Sequence, residues 1–120
     1  MTMTVRELLI AVDSGALRRL AQQPIPVAGA YKLRRLARLL DAEYRDASAE
    51  RMKLFTPENS LPVTGTDSRQ IRAECEAAYH AEPLFAQRVR LDAEPITEAD
   101  LSGALTSAAD LESLGPLLAT

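Results

Sequence analysis

The chain has 120 residues, the size of one domain. It is 47% hydrophobic but only 4% aromatic, with one cysteine, one histidine and a formal charge of −3, which excludes an internal disulfide and a zinc site of the usual four-ligand type. No apolar run approaches the roughly 18 residues of a membrane span, and the first residues lack the pattern of a signal peptide. We therefore expect a soluble intracellular protein with an aliphatic core.

The first predicted element is a helix that begins at Thr4 and Glu7, whose spacing fits a capping box. Apolar residues then recur at helical spacing, and residues 13–15 (DSG) break or restart the helix before the stripe continues. Pro24 and Pro26 predict a stiff connector, since neither residue continues a helix. The apolar positions of this segment are Val5, Leu8, Leu9, Val12, Leu17 and Leu20.

Residues 28–55 predict one long helix with a single apolar seam. The seam consists of Val27, Ala30, Tyr31, Leu33, Leu36, Ala37, Leu40, Tyr44 and Ala47. A helix of this length suggests an arm of a packed hairpin, a docking surface for an assembly, or a rod that binds nucleic acid.

The remaining elements are shorter. After a loop at residues 56–66, Asp67 and Gln70 fit a second capping box, which predicts a helix to about residue 80, antiparallel to the long one. Residues 85–91 suggest a strand and residues 104–106 its return strand. A helical turn is expected at residues 97–101, and a last helix at 108–114, capped by Thr106 or Ser107 and stopped by Gly115 in a left-handed conformation.

These elements predict an α+β fold that is mainly α. A long antiparallel helical hairpin is braced by an N-terminal helix, and a small two-stranded element and a C-terminal helical turn complete a single domain, residues 1–120. The helical part covers about residues 4–80, and the β and helical-turn part about 84–118.

Residues that carry chemistry are few. Cys75 and His80 lie five apart on the predicted helix, so they point to different faces. Glu94, Glu98 and Asp100 do not match a calcium loop and are interpreted as solvated acids. We therefore predict a non-enzymatic protein with no catalytic residue, no metal site and no cofactor.

Charge is distributed unevenly along the chain. Residues 1–40 carry seven basic and two acidic side chains, whereas residues 92–120 carry six acidic side chains and no basic one. Such halves attract each other within one chain or between neighbouring chains. Acids follow the basic cluster of the long helix within one turn and stacking aromatics are missing, which disfavours nucleic acid as a partner.

Three segments resemble a group of short, mostly uncharacterised proteins encoded in tailed-bacteriophage genomes. They are TVRELLIAVDSGALRRLAQQPIPVAGAYKLRRLARLLDAEY, RVRLDAEPITEADL and LTSAADLESLGPLL, the last with the pattern L-[ST]-x-A-D-L-x-x-L-x-P-L-L. The resemblance covers about residues 1–55 and 87–118, whereas residues 56–80 depart from it. It implies a helical hairpin with a small β pair, in a viral protein made in the cytoplasm of a host bacterium.

Two functions remain open at this point. The first is a structural or assembly component of a virion (capsid, connector or tail) that acts through protein–protein contacts. The second is a small phage effector that binds and inhibits a host protein, such as a defence system or a polymerase. The unequal charge distribution slightly favours the first, because repeated head-to-tail contacts use complementary patches.

The long helix also suggests where contacts form. A helix of about 13 residues is too short to cover one of 28, so part of the seam is left for the N-terminal helix or for a partner chain. We expect a homo-oligomer, or binding to other phage structural proteins. The predicted interface is Leu33, Leu36, Leu40 and Tyr44, with Arg34, Arg35 and Arg38 on its rim.

Overall fold

The computed structural model describes residues 1–119 and confirms an α+β fold that is mainly helical. Its elements in chain order are β1 (Thr2–Thr4), α1 (Val5–Asp13), α2 (Ala16–Ala21), α3 (Val27–Met52), β2 (Ser60–Pro62), β3 (Arg69–Ile71), α4 (Glu76–His80), β4 (Arg88–Arg90) and α5 (Ala108–Leu114). Short 3₁₀ turns link several of these elements. The molecule measures 49 × 29 × 22 Å, and its length follows from α3, which at 1.5 Å per residue is about 39 Å long.

The N-terminal helices form as the sequence predicts. The Thr4 side chain accepts a hydrogen bond from the Glu7 backbone N–H, and the Glu7 carboxylate accepts from the Thr4 N–H, so the capping box is present. Gly15 has a φ of 74°, a conformation that few residues other than glycine adopt. This glycine separates α1 from α2, so the break predicted at residues 13–15 is confirmed.

The middle of the α3 seam is the centre of the core, whereas Val27 and Tyr31 of the predicted seam are 87% and 62% exposed. Leu33, Leu36 and Leu40 are each at most 2% exposed, and α1 and α2 of the same chain pack on α3. Leucines from α1 and α2 and residues near the C-terminus complete this core. Intramolecular packing therefore buries the part of α3 that we expected to need a partner.

The N-terminal strand was not predicted. β1 pairs antiparallel with β4, with Met3 opposite Val89, and the Met1 amino group donates to the carbonyl of Leu91 at 2.8 Å. A strand at residues 85–91 was predicted, and β4 confirms it at residues 88–90, whereas residues 85–86 belong to a 3₁₀ turn. Its predicted partner at residues 104–106 is wrong, because the chain start occupies the edge at which that segment was expected.

Residues 56–71 form a β-hairpin, which we call the arm. β2 and β3 pair antiparallel, with Leu61 opposite Gln70, and residues 61–68 are all exposed. The helix predicted from Asp67 is therefore wrong in its first half, where β3 lies, and only α4 is helical. Gly65 has a φ of 79° in the turn, where its freedom favours reversal of the chain over a helix.

The C-terminal segment, residues 96–118, lies against the start of α3 and against α2. An added Cβ on Gly29 would lie 2.0 Å from the Asp100 carbonyl oxygen, so the two backbones touch. Lys32 bonds Asp100 at 2.8 Å, and Arg19 holds Asp110 through two hydrogen bonds. The basic front and the acidic tail therefore attract each other within one chain.

Two further details concern helix ends. Ser107 caps α5 by accepting from the backbone N–H of Asp110, as one of the two alternatives predicted. Gly115 does not end α5 in a left-handed conformation, since its φ is −43° and a 3₁₀ turn continues through Leu117. None of the helices within residues 1–119 is both long and apolar enough to cross a membrane.

Candidate protein-binding groove

A groove of about 420 Å³ opens where the end of α1 meets the end of α3. It is lined by Arg6, Leu9, Ile10, Asp13, Ser14, Arg51, Tyr79, His80 and Phe85. Four of these nine side chains come from one face of α1 and Ser14 follows that helix, and the others come from the last turn of α3 and the segment around α4. Its size lies in the range of pockets that hold a side chain or a small ligand.

Aromatic rings form one wall. The Tyr79 ring lies 5.1 Å from the Phe85 ring at 65° and 5.2 Å from the His80 ring at 71°, both edge-to-face contacts. Phe55 contacts Tyr79 from the other side, with ring centroids 5.7 Å apart. Edge-to-face pairs of this kind add stability beyond their buried area, so the wall is held in place before anything binds.

Ile10 is the exposed apolar part of the groove. Its side chain is 50% exposed, whereas the neighbouring Leu9 is 4% exposed and belongs to the core. Phe85, which also lines the groove, is 6% exposed. The groove therefore joins a surface aliphatic group to the edge of the core.

Arg6 forms one side of the rim. Its guanidinium lies over the Phe85 ring, 5.2 Å from the centroid, and it donates a hydrogen bond to the His80 carbonyl oxygen. A guanidinium stacked on a ring keeps its charge at the surface while its stem covers apolar area. The stacking and the hydrogen bond fix the position of this positive charge beside the aromatic wall.

The opposite rim is a network around Asp13. Arg51 bonds Asp13 at 2.8 Å, and the Tyr44 hydroxyl donates to the other carboxylate oxygen at 2.6 Å. This hydrogen bond, with burial, raises the pKa of Tyr44 above its ordinary value. The network ties the end of α1 to the end of α3, so both sides of the groove are rigid.

The groove combines apolar and polar surface. Burial raises the pKa of Tyr79, whose ring forms part of the aromatic wall. An apolar side chain that enters would meet Ile10 and the aromatic wall, and its polar neighbours would meet the two guanidinium groups. An apolar pocket with a few polar groups at its edge is typical of recognition sites.

The residues predicted as an interface lie elsewhere. Leu33, Leu36 and Leu40 are in the core, so they cannot contact a partner in the folded chain, and this part of the prediction is wrong. The reason is that α1 and α2 cover the seam. Tyr44 is the one predicted residue that lies beside the groove. It does not line the groove, but its hydroxyl donates to Asp13, which does. Arg34, Arg35 and Arg38 are exposed on α3, and they form no ion pair with any residue in the range 1–119.

Sequence reasoning missed most of the groove. Ile10 carried a signal, because it falls outside the apolar stripe of Leu8, Leu9 and Val12 and an isoleucine there must face away from the core. Arg6 and Phe85 carried none, since they meet only through the pairing of β1 with β4, which lies between positions far apart in the sequence.

The other candidate residues take structural positions. Cys75 is partly exposed, His80 ends α4 and stacks on Tyr79, and Asp100 pairs with Lys32. Within residues 1–119, no three His, Cys, Asp or Glu side chains come close enough together to hold a metal ion.

No protein-family model, curated protein or solved structure matches this chain. The resemblance to short tailed-phage proteins therefore stays a prediction.

Proposed function

We propose that this protein is a non-enzymatic component of a phage particle or of its assembly, and that it acts through protein–protein contacts at the groove. The observation that carries the proposal is the groove itself, where a half-exposed isoleucine adjoins an ordered aromatic wall. The phage context is an expectation from the sequence resemblance. It implies synthesis in the cytoplasm of a host bacterium and, for a particle component, a place in the virion.

The groove suits a protein partner because a peptide offers both apolar side chains for its apolar floor and polar groups for its charged rim. Filling it with one aliphatic or aromatic side chain would contribute about 1.5 to 3 kcal/mol by the usual transfer values. The guanidinium groups of Arg6 and Arg51 on the rim would donate hydrogen bonds to carboxylate or carbonyl oxygens beside that anchor. Interfaces commonly consist of an apolar anchor with a polar rim around it.

A second candidate is the host-directed effector, and one observation favours it. Lys32–Asp100 and Arg19–Asp110 join the basic and acidic parts of the chain internally. These complementary patches are therefore already in use, and the electrostatic argument for repeated head-to-tail contacts in a particle becomes weaker. The effector would use the same groove for a host protein.

Mass spectrometry of purified particles separates the two functions. We expect many copies of this protein per particle if it is an assembly component, and its absence from particles supports the effector. The groove is tested in the same experiment with Ile10→Glu, which should reduce incorporation because a carboxylate in an apolar contact lacks a partner.

Val27→Glu is the matched control. Val27 is 87% exposed, lies at the other end of α3 and does not line the groove, so this variant should be incorporated as well as the original protein. Equal incorporation of both variants would refute a role for the groove. A far-UV spectrum and a melting curve confirm that both variants fold.

A further inference from the structure

We propose that the groove binds the arm of a second copy of this chain, and that two copies exchange arms reciprocally. The inference rests on the proposed function, since it names the partner of the same groove. It follows from the exposed apolar face of the arm, the blunted edge of β2, the charges of the two surfaces and their common position at one end of the molecule.

The arm carries an apolar pair that residues 1–119 leave partly exposed. Leu61 and Val63 are two residues apart along the strand direction, so their side chains share one face of the hairpin. They are 49% and 36% exposed. A two-stranded hairpin is marginally stable alone and gains most when its apolar face packs against something.

The arm is built to contact a partner by side chains. The Val63 N–H donates to the Ser68 carbonyl oxygen across the hairpin at 3.0 Å. In an antiparallel pair, the backbone groups of the alternate residues, here Ser60 and Pro62, therefore point away from β3 toward the outer edge. Ser60 N–H is already bonded to Thr56, and proline has no N–H to offer. This edge therefore resists strand addition, which leaves the Leu61–Val63 face as the contact surface.

The charges of arm and groove are complementary. The arm, residues 56–71, contains Glu58 and Asp67 against Arg69, so its net charge is −1. The groove rim contains Arg6 and Arg51 against a single carboxylate, Asp13, so it is basic overall. An acidic arm with an apolar face fits a basic rim around an apolar floor, and the rim charges would speed association and orient it.

The position of both surfaces favours a two-fold dimer. Arg51 lines the groove from the last turn of α3, and the arm begins shortly after that turn. No arm residue lines the groove of its own chain among residues 1–119. When two copies face each other end to end around a two-fold axis, each arm reaches the other groove, and both contacts form together.

Disulfide trapping tests the exchange. In a Cys75→Ser background, a tagged Ile10→Cys chain is mixed with an untagged Val63→Cys chain under mild oxidation. The mixed disulfide should form at least about tenfold faster than between Ile10→Cys and Val27→Cys chains, because copies that are already associated present their thiols at high effective concentration.

Light scattering gives a second measurement, which does not depend on a covalent link between the copies. The original chain should have twice the 13.1 kDa mass of one copy at tens of micromolar, and Leu61→Ser with Val63→Ser should restore the single mass. Arg38→Ser, a change at an exposed position outside the groove and the arm, should leave the doubled mass unchanged.

Three results would overturn arm exchange. They are a single-copy mass for the original chain, a mixed disulfide no faster than the Val27→Cys control, or an intrachain disulfide in the Ile10→Cys and Val63→Cys double variant, which would mean that the arm closes on its own groove.

The proposed function is tested by different outcomes. If Ile10→Glu alone abolishes incorporation while the chain is a monomer, the groove binds another particle protein and only arm exchange is refuted. If dimers form but particles lack the protein, arm exchange stands and the particle function is refuted.

Discussion

The two ends of α3 differ in how the chain closes them. At the Val27 end, the C-terminal segment presses its backbone on Gly29 and forms an ion pair with Lys32. Gln23 adds hydrogen bonds to the backbone of Leu105. At the Met52 end, α3 is followed by the arm, and Ile10 in the neighbouring groove is half exposed.

This difference separates the structural from the functional part of the molecule. The first end is fixed by a backbone contact and by charges that the chain pairs internally. The second end has a rigid groove and an arm whose apolar side chains face solvent. Changes at the first end should therefore affect stability, and changes at the second should affect binding.

The largest expected effect comes from the core that lies between the two ends. Leu36 is 1% exposed, so Leu36→Asp buries a carboxylate without a partner and should lower the free energy of unfolding by at least about 3 kcal/mol. Urea denaturation followed by circular dichroism measures it. The neighbouring Arg35→Asp, at an exposed position of the same helix, should change stability by less than about 1 kcal/mol. An unchanged midpoint for Leu36→Asp would mean that the seam is not the core.

The closed end is broken most directly at Gly29. A Cβ there would lie 2.0 Å from the Asp100 carbonyl oxygen, so Gly29→Ala must push the C-terminal segment away and should cost about 2 to 4 kcal/mol. Gly115→Ala is the matched control, because no atom lies within 4 Å of its added Cβ and its φ is negative. That control should be neutral or slightly stabilising. Equal melting temperatures for the two variants would show that the backbones do not touch.

Local signals in the sequence were sufficient for much of the fold. The capping box of Thr4 and Glu7, the break before Gly15 and the span of α3 each depend on residues close together in the chain, and each was predicted. The candidate site was predicted only through Tyr44, because the apolar seam was assigned to an interface and its own chain covers it.

The remaining errors have a common physical cause. β1 has three residues, too few for a periodic signal, and its pairing with β4 joins Met3 to Val89 across most of the chain. The second strand of the arm was assigned to a helix because Asp67 and Gln70 have the spacing of a capping box. In the structure, Gly65 in the turn and the pairing of β3 with β2 override that local preference.

A smaller effect should distinguish the ends by pH. The side-chain hydrogen bond from Lys32 lowers the pKa of Asp100 below 3.8, and the one from Arg19 likewise lowers the pKa of Asp110. Because these pKa values are depressed on folding, the stability they contribute is present above about pH 4 and is lost as the pH falls through the folded values. The free energy of unfolding should therefore decrease between pH 5 and pH 3.

Substitution of one carboxylate isolates this effect. At pH 6, Asp100→Asn should reduce the free energy of unfolding by about 0.5 to 1 kcal/mol, the upper part of the usual range for ion pairs near the surface, and should flatten its decrease toward pH 3. Asp67→Asn in the arm, which removes a carboxylate that forms no ion pair within residues 1–119, should keep the steeper decrease. The same slope in both variants would contradict the role given to the Lys32–Asp100 pair.

The smallest expected change in stability is at the open end. Leu61 and Val63 face solvent in the single chain, so Val63→Ser should change the free energy of unfolding by no more than about 0.5 kcal/mol when measured at low protein concentration, where copies dissociate. At high concentration the melting temperature of the original chain should rise because the arms become buried, whereas that of Val63→Ser should rise little. Two melting curves at concentrations a hundredfold apart measure this difference. A loss of more than 1 kcal/mol at the low concentration would mean that the arm packs on its own chain, and the contrast between the two ends of α3 would then no longer hold.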